Sequence, residues 1–212
     1  ATTEIYTLPL HDALPIFKRS IILMAYNAEE EGLLGSKYYV NNPTIELSSV
    51  IAMINMDMIG RMSDNKVTIG GTGTSPGFET LLNDANEKKE IQLKMSPEGY
   101  GPSDHASFYI NDIPVLFFFT GTHENYHKPS DDWEHINAKG EKQIVDLVYD
   151  LTIKLSSLDE KPAFTEAGPK EPNQTRRSFK VTFGVIPSYG SQEEGMERSE
   201  EHTSELQSRT NL

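Results

Sequence analysis

The sequence predicts an α/β fold with a largely parallel, covered sheet. Two observations carry this expectation. Strand-length apolar runs alternate along the chain with segments of helical period, the arrangement that builds parallel sheets flanked by helices. The runs are apolar nearly throughout rather than at every second residue, as strands buried on both faces are. The elements follow in order. SIILMAYNA (20–28) reads as a buried strand with a turn-prone, charged exit. GLLGSKYYVNN (32–42) reads as a short helix stopped by Pro43. SSVIAMINMDM (48–58) is a second apolar run that meets Asp57, and KVTIGG (66–71) a short strand. Phe78, Leu81, Leu82 and Ala85 give 75–89 a helical stripe. SPEGYGPSDH (96–105) is loop, and SDHASFYI opens a helix with Ser103 or Asp104 as its N-cap. IPVLFFFTG (113–121) is a third buried strand, its Phe run core rather than a binding box. Residues 137–158 form a long amphipathic helix.

Beyond Asp159 the composition shifts to Pro, Glu, Lys, Gly and Thr, so 159–178 reads as a linker. A strand-rich unit then starts with SFKVTFGVIPSYG. The two ends look foreign to the gene. RSEEHTSELQS (198–208) matches the translation of a common sequencing adapter, and ATTEIYTLPLHDALPI (1–16) differs from that of the opposite adapter only at Pro9. Residues 1–16 and 198–212 are therefore expected to be adapter-derived. They carry His11 and His202, which receive no role.

Composition excludes several classes of function. A formal net charge of −13 disfavours nucleic acid, because affinity there comes from Lys and Arg on phosphates. No apolar run approaches the roughly 20 residues of a membrane span. The absence of Cys removes disulfides, thiol nucleophiles and zinc ribbons. Any metal must be held by His, Asp and Glu. GGTGTSPG (70–77) lacks the spacing of a phosphate loop and reads as a connection.

The suspicious polar groups sit at strand exits: Glu29–Glu30 after the first apolar run, Asp57 at the end of the second, Tyr126–His127 past the third. Carboxyl ends of parallel strands lie close together and are where sites form. Carboxylates with an imidazole suit zinc. A cation there offsets the repulsion among clustered acids. Each residue also has a plainer reading: a solvated turn for Glu29–Glu30, a turn or cap residue for Asp57, a loop histidine for His127, core packing for Tyr126. His123 and His135 have no motif behind them and read as loop and surface.

Four motifs, AEEEGLLGS (28–36), NMDMIGR (55–61), SDHASF (103–108) and YHKPSD (126–131), occur in an order and spacing that resembles the co-catalytic zinc aminopeptidases, metallopeptidase family 28, over about 17–158. The resemblance implies a three-layer sandwich around a mostly parallel, mixed sheet. It implies hydrolysis of the N-terminal bond of peptide substrates with two zinc ions. Glu29 then looks like the general base, Glu30 and His127 like ligands of one zinc, and Asp57 like a ligand of the other. Tyr126 resembles a tyrosine that hydrogen-bonds the oxyanion. Glu31 falls at a variable position. His105, Asp104 and Asp131 would support the pocket by hydrogen bonds without binding metal. A secreted or periplasmic location follows from family habit. The family's upstream His-x-Asp segment and its metal-bridging Asp have no counterpart, since His11–Asp12 lies in the adapter-like stretch. An incomplete site, and a chain inactive as it stands, are therefore expected. Residues 179–197 resemble the start of a PDZ-like domain.

Two other readings stay open: a glutaminyl cyclase or dipeptide carboxypeptidase on the same fold, and a receptor-like ectodomain without metals. GLLGS after the glutamates favours the aminopeptidase, and the intact Glu29, Glu30, Asp57 and His127 weigh against the ectodomain.

Overall fold

The computed structural model describes residues 17–171, and the backbone of the short strands 4–6, 185–187 and 198–201. The remainder of the adapter-like ends, of the linker and of the PDZ-like start lies outside the described residues. In chain order the elements are β1 (Glu4–Tyr6), β2 (Leu23–Ala25), α1 (Leu34–Asn41), β3 (Met53–Met56), β4 (Lys66–Gly70), β5 (Gln92–Met95) and α2 (Phe78–Asn86) between β4 and β5. They continue with α3 (His105–Tyr109), β6 (Val115–Phe119), α4 (Ala138–Ser157), β7 (Val185–Pro187) and β8 (Arg198–Glu201).

Four strands make the central sheet in the order β3-β6-β4-β5. β3 runs parallel to β6 and β4 parallel to β5, while β4 and β6 are antiparallel. The sheet is mixed and mostly parallel, as the sequence predicts. Side chains alternate along a strand, so β6 divides the core. Leu116 and Phe118 join Val67 and Ile69 against Phe78 and Leu82 of α2 and Ile144, Leu147 and Leu151 of α4. Val115 faces the other way, with Tyr39 of α1 and Phe108 and Tyr109 of α3. Helices thus cover both faces of the sheet.

Three expectations need correction. Residues 20–28 are not a buried strand. Only Leu23–Ala25 is extended, and it pairs antiparallel with β1, outside the four-stranded sheet. Met24 and Tyr26 pack inward, but Ile21 and Leu23 are 39% and 50% exposed. Without a place in the sheet, the run covers the α1–α3 layer with one side only. β5 has no counterpart among the predicted strands: its four residues, QLKM, alternate polar and apolar, as a half-covered edge strand does. Asp104 does stand at the N-cap of α3, but neither it nor Ser103 caps it. Asp104 has helical backbone angles and makes no side-chain cap bond, and the Ser103 hydroxyl points instead to Asp57.

Residues 159–171 do not hang free. They run back across the domain as an extended strap. Thr165 N–H donates to Thr74 O (2.8 Å), and Gly99 N–H donates to Ala167 O (2.8 Å).

Candidate functional site

The Glu29–Glu30 loop is built from backbone turns. Ala28, Gly32 and Leu33 have φ of 55°, 95° and 61°, the left-handed region that reverses a chain sharply. Gly32 and Leu33 N–H both donate to Glu29 O, at 2.9 and 2.8 Å. Leu34 and Gly35 N–H close the loop on Ala28 O and Asn27 O, at 3.1 and 3.0 Å. Gly35 is required here: a Cβ at this position would lie 2.6 Å from Asn27 O.

The structure brings Glu30 and His127 together across 97 residues, with His127 Nε2 3.1 Å from Glu30 Oε1. Two ligands of one tetrahedral zinc, each about 2.1 Å from the metal, are separated by roughly 3.4 Å. The pair fits a shared cation. His127 has φ 56°, and its ring stacks on Tyr126 at 3.8 Å between centroids.

Glu29 is half-buried beside them. Burial, with Glu30, Asp57 and Asp104 nearby, pushes its carboxyl up to about 7, against a smaller opposing pull from His127. A carboxyl poised near neutrality can both take and return a proton. Asp57 is near enough to raise Glu29 electrostatically, but it is held separately. Its Oδ2 accepts from Ser103 Oγ at 2.8 Å, and Ser103 Oγ accepts from Asn55 Nδ2 at 2.8 Å. Among the described residues, no group of three or more His, Asp or Glu is arranged to hold a metal ion.

The supporting residues lie beneath. His105 is buried and stacks on Phe117 at 4.3 Å. Burial drops its ring to about 3, so it is neutral. Asp104 is buried with Oδ1 unpartnered. Burial raises its carboxyl against a hydrogen bond from Ser36. Asp131 is paired with Arg61 and faces His123. It accepts from Arg61 at 2.5 Å and lies 3.7 Å from His123 Nε2, and the Arg61 guanidinium holds its carboxyl below the usual range. Arg61 directly follows the Asp57 segment, so this pair ties the His127 loop to the end of β3.

Arg61, Asn55 and Ser36 were not singled out in the sequence, and His123 was given no role there. Arg61 lies inside the quoted NMDMIGR motif, and that was its only signal. His123, read as a surface loop residue, has a buried Nδ1 without a partner. The cleft at Glu29 and Glu30 measures about 710 Å³ and is also lined by Lys37, Glu98, Tyr100 and Glu171.

The model of peptidase family M28 matches residues 7–152, a span that starts inside the 1–16 stretch. Leupeptin-inactivating enzyme 1 of Streptomyces exfoliatus is 36% identical over 45% of the chain and 22% of its own length. Aminopeptidase YwaD of Bacillus subtilis is 29% identical over 68% of the chain and 34% of its own. Among solved structures, the LapA aminopeptidase of Legionella pneumophila superposes with a TM-score of 0.59 at 28% identity, covering 68% of the chain and 41% of LapA. BSAP, a zinc aminopeptidase from Bacillus subtilis, gives 0.55 at 28%, covering 68% of the chain and 38% of its own. The chain thus spans less than half the length of each of these relatives. The family match takes in well over half of the chain itself, including all four motifs, and the chain belongs to peptidase family M28.

Proposed function

We propose that the whole protein is a zinc-dependent aminopeptidase acting on peptides. The observation that carries this reading is the 3.1 Å meeting of Glu30 and His127 beside the half-buried Glu29. Glu30 and His127 would hold one zinc, and Asp57, already oriented by Ser103, would serve a second. Bound zinc supplies Lewis acidity toward the scissile carbonyl and an acidified water. Glu29 would serve as the general base, holding a proton at its carboxylate and returning it to the leaving amine. Tyr126, stacked on His127, is assigned to hydrogen-bond the developing oxyanion. Among the described residues, the cleft is lined by Glu29, Glu30, Glu98 and Glu171, with Lys37 as the cation. Glu98 and Glu171, which lie outside the proposed zinc ligands, offer carboxylates to the α-ammonium of a peptide, which favours an aminopeptidase over a carboxypeptidase. A secreted or periplasmic setting and a PDZ-like unit from about residue 179 belong to the same reading.

The test uses the whole gene product with zinc bound. Glu29→Gln should keep the metal and lower kcat on an aminoacyl naphthylamide by about 10²–10⁴-fold. Full activity with full zinc content would remove Glu29 as the base. Cyclisation of N-terminal glutamine without naphthylamide hydrolysis would select the glutaminyl cyclase.

A further inference from the structure

The strap is held by more than proximity. The Tyr109 hydroxyl accepts from Ala167 N–H at 2.9 Å and donates to Gly168 O at 2.6 Å. Tyr109 is itself fully buried, and its ring packs on Phe164 at 5.6 Å. Lys170 pairs with Asp112 at 2.5 Å and lies 5.3 Å over the Phe164 ring. Backbone bonds from Thr165 to Thr74 and from Gly99 to Ala167 complete the seam. Gly99 has no room for a side chain, since a Cβ there would lie 2.3 Å from the Tyr109 ring. The bonds hold each side of Pro169, and it is Pro169 and Glu171 that line the cleft together with Glu29 and Glu30.

We propose that residues 162–171 form a fixed wall of the peptide-binding cleft, with Pro169 and Glu171 in contact with the substrate and Tyr109 as the residue that positions them. This inference rests on the aminopeptidase reading of the same cleft. An extended segment tied through its backbone at Thr165, Ala167 and Gly168, and beyond Pro169 by the Lys170–Asp112 ion pair, is ordered before substrate arrives, so contact with it carries little entropic cost. Such a wall contributes to substrate binding equally in the ground and transition states. Its loss therefore raises KM and leaves kcat alone.

The test compares the zinc-loaded whole protein with two variants. One is the doubly substituted Pro169→Ala, Glu171→Ala protein, which leaves the buried seam intact. The other is Tyr109→Phe, which removes both hydroxyl bonds. The readouts are KM and kcat on a tripeptide, the Kd of a reduced-bond tripeptide that cannot be cleaved, and the rate of protease nicking within 162–171. The double variant should raise KM and Kd about fivefold, with kcat and nicking unchanged. Tyr109→Phe should raise nicking together with KM. Should Tyr109→Phe fail to fold, the double variant decides alone. Unchanged KM and Kd in the double variant overturns the wall while leaving the aminopeptidase reading in place, as does a fall in kcat accompanied by zinc loss. A parent protein that neither binds nor cleaves the tripeptides overturns both.

Discussion

β6 sends Leu116 and Phe118 to one face of the sheet and Val115 and Phe117 to the other, and the two faces differ in kind. Toward α2 and α4 the buried layer is apolar throughout, from Val67 and Ile69 to Leu147 and Leu151. Toward α1 and α3 it mixes Tyr39 and Phe108 with buried Ser36, Ser103, Asp104, His105 and Ser107. Buried polar groups must be paired or they destabilise the fold. Most are: Ser36 and Ser107 share a hydrogen bond at 2.9 Å, and Asn55, Ser103 and Asp57 form a chain. Asp104 Oδ1 and Tyr39 Oη are not. One face supplies stability. The other gives up some of it to hold charged groups under the cleft, which is where natural proteins break packing rules.

This contrast can be broken from either side. The largest effect is expected on the apolar face. Phe118→Ala should cost about 3–5 kcal/mol, read as a lowered urea midpoint, and a crystal structure of the variant should keep the Glu30–His127 contact. Loss of that contact would mean the two faces are not separable.

Acid comes next, through His105. Its folded-state value, about 3, lies below the ordinary 6.5, so between these limits the unfolded chain binds a proton that the folded one refuses. Its neutral burial is therefore without penalty above pH 6.5, and stability falls as pH drops from 6.5 toward 3, by about 3 kcal/mol at pH 4. Glu29 acts with the opposite sign in the metal-free protein. Its carboxyl is raised to about 7 from 4.5, so its ionisation destabilises the fold as pH rises through that window. His105→Phe should flatten the acid limb of a Tm–pH curve, and Glu29→Gln the limb between 4.5 and 7. A His105→Phe protein as acid-sensitive as the parent would place the liability elsewhere.

Gly35→Ala is expected to cost about 1–3 kcal/mol, because its Cβ meets Asn27 backbone rather than a side chain that can yield. It should also weaken zinc binding in a chelator competition, since Asn27 anchors the Glu29–Glu30 loop. The smallest change in stability belongs to Asp131→Asn. The thermal midpoint should stay put while zinc affinity falls about 10-fold, because the Arg61–Asp131 pair holds the loop that carries His127. An unchanged affinity would leave the Arg61–Asp131 pair a surface contact only.

The run VLFFF announced a central strand because five apolar residues in a row suit only a two-sided interior. The helix 138–157 announced itself by its period. QLKM was illegible for the opposite reason: four residues of mixed polarity carry too little pattern. SIILMAYNA misled because apolarity reports the tendency to be buried, not the partner. Residue type and spacing alone determined the α/β layering, the helices and the candidate acids, since local periodicity is a property of neighbours in the chain. The meeting of Glu30 with His127, the Arg61–Asp131 tie and the docking of the strap were settled in three dimensions. The first two join residues 97 and 70 positions apart. The third is made mostly by backbone N–H and C=O groups, which every residue except proline carries and which therefore leave no mark in composition.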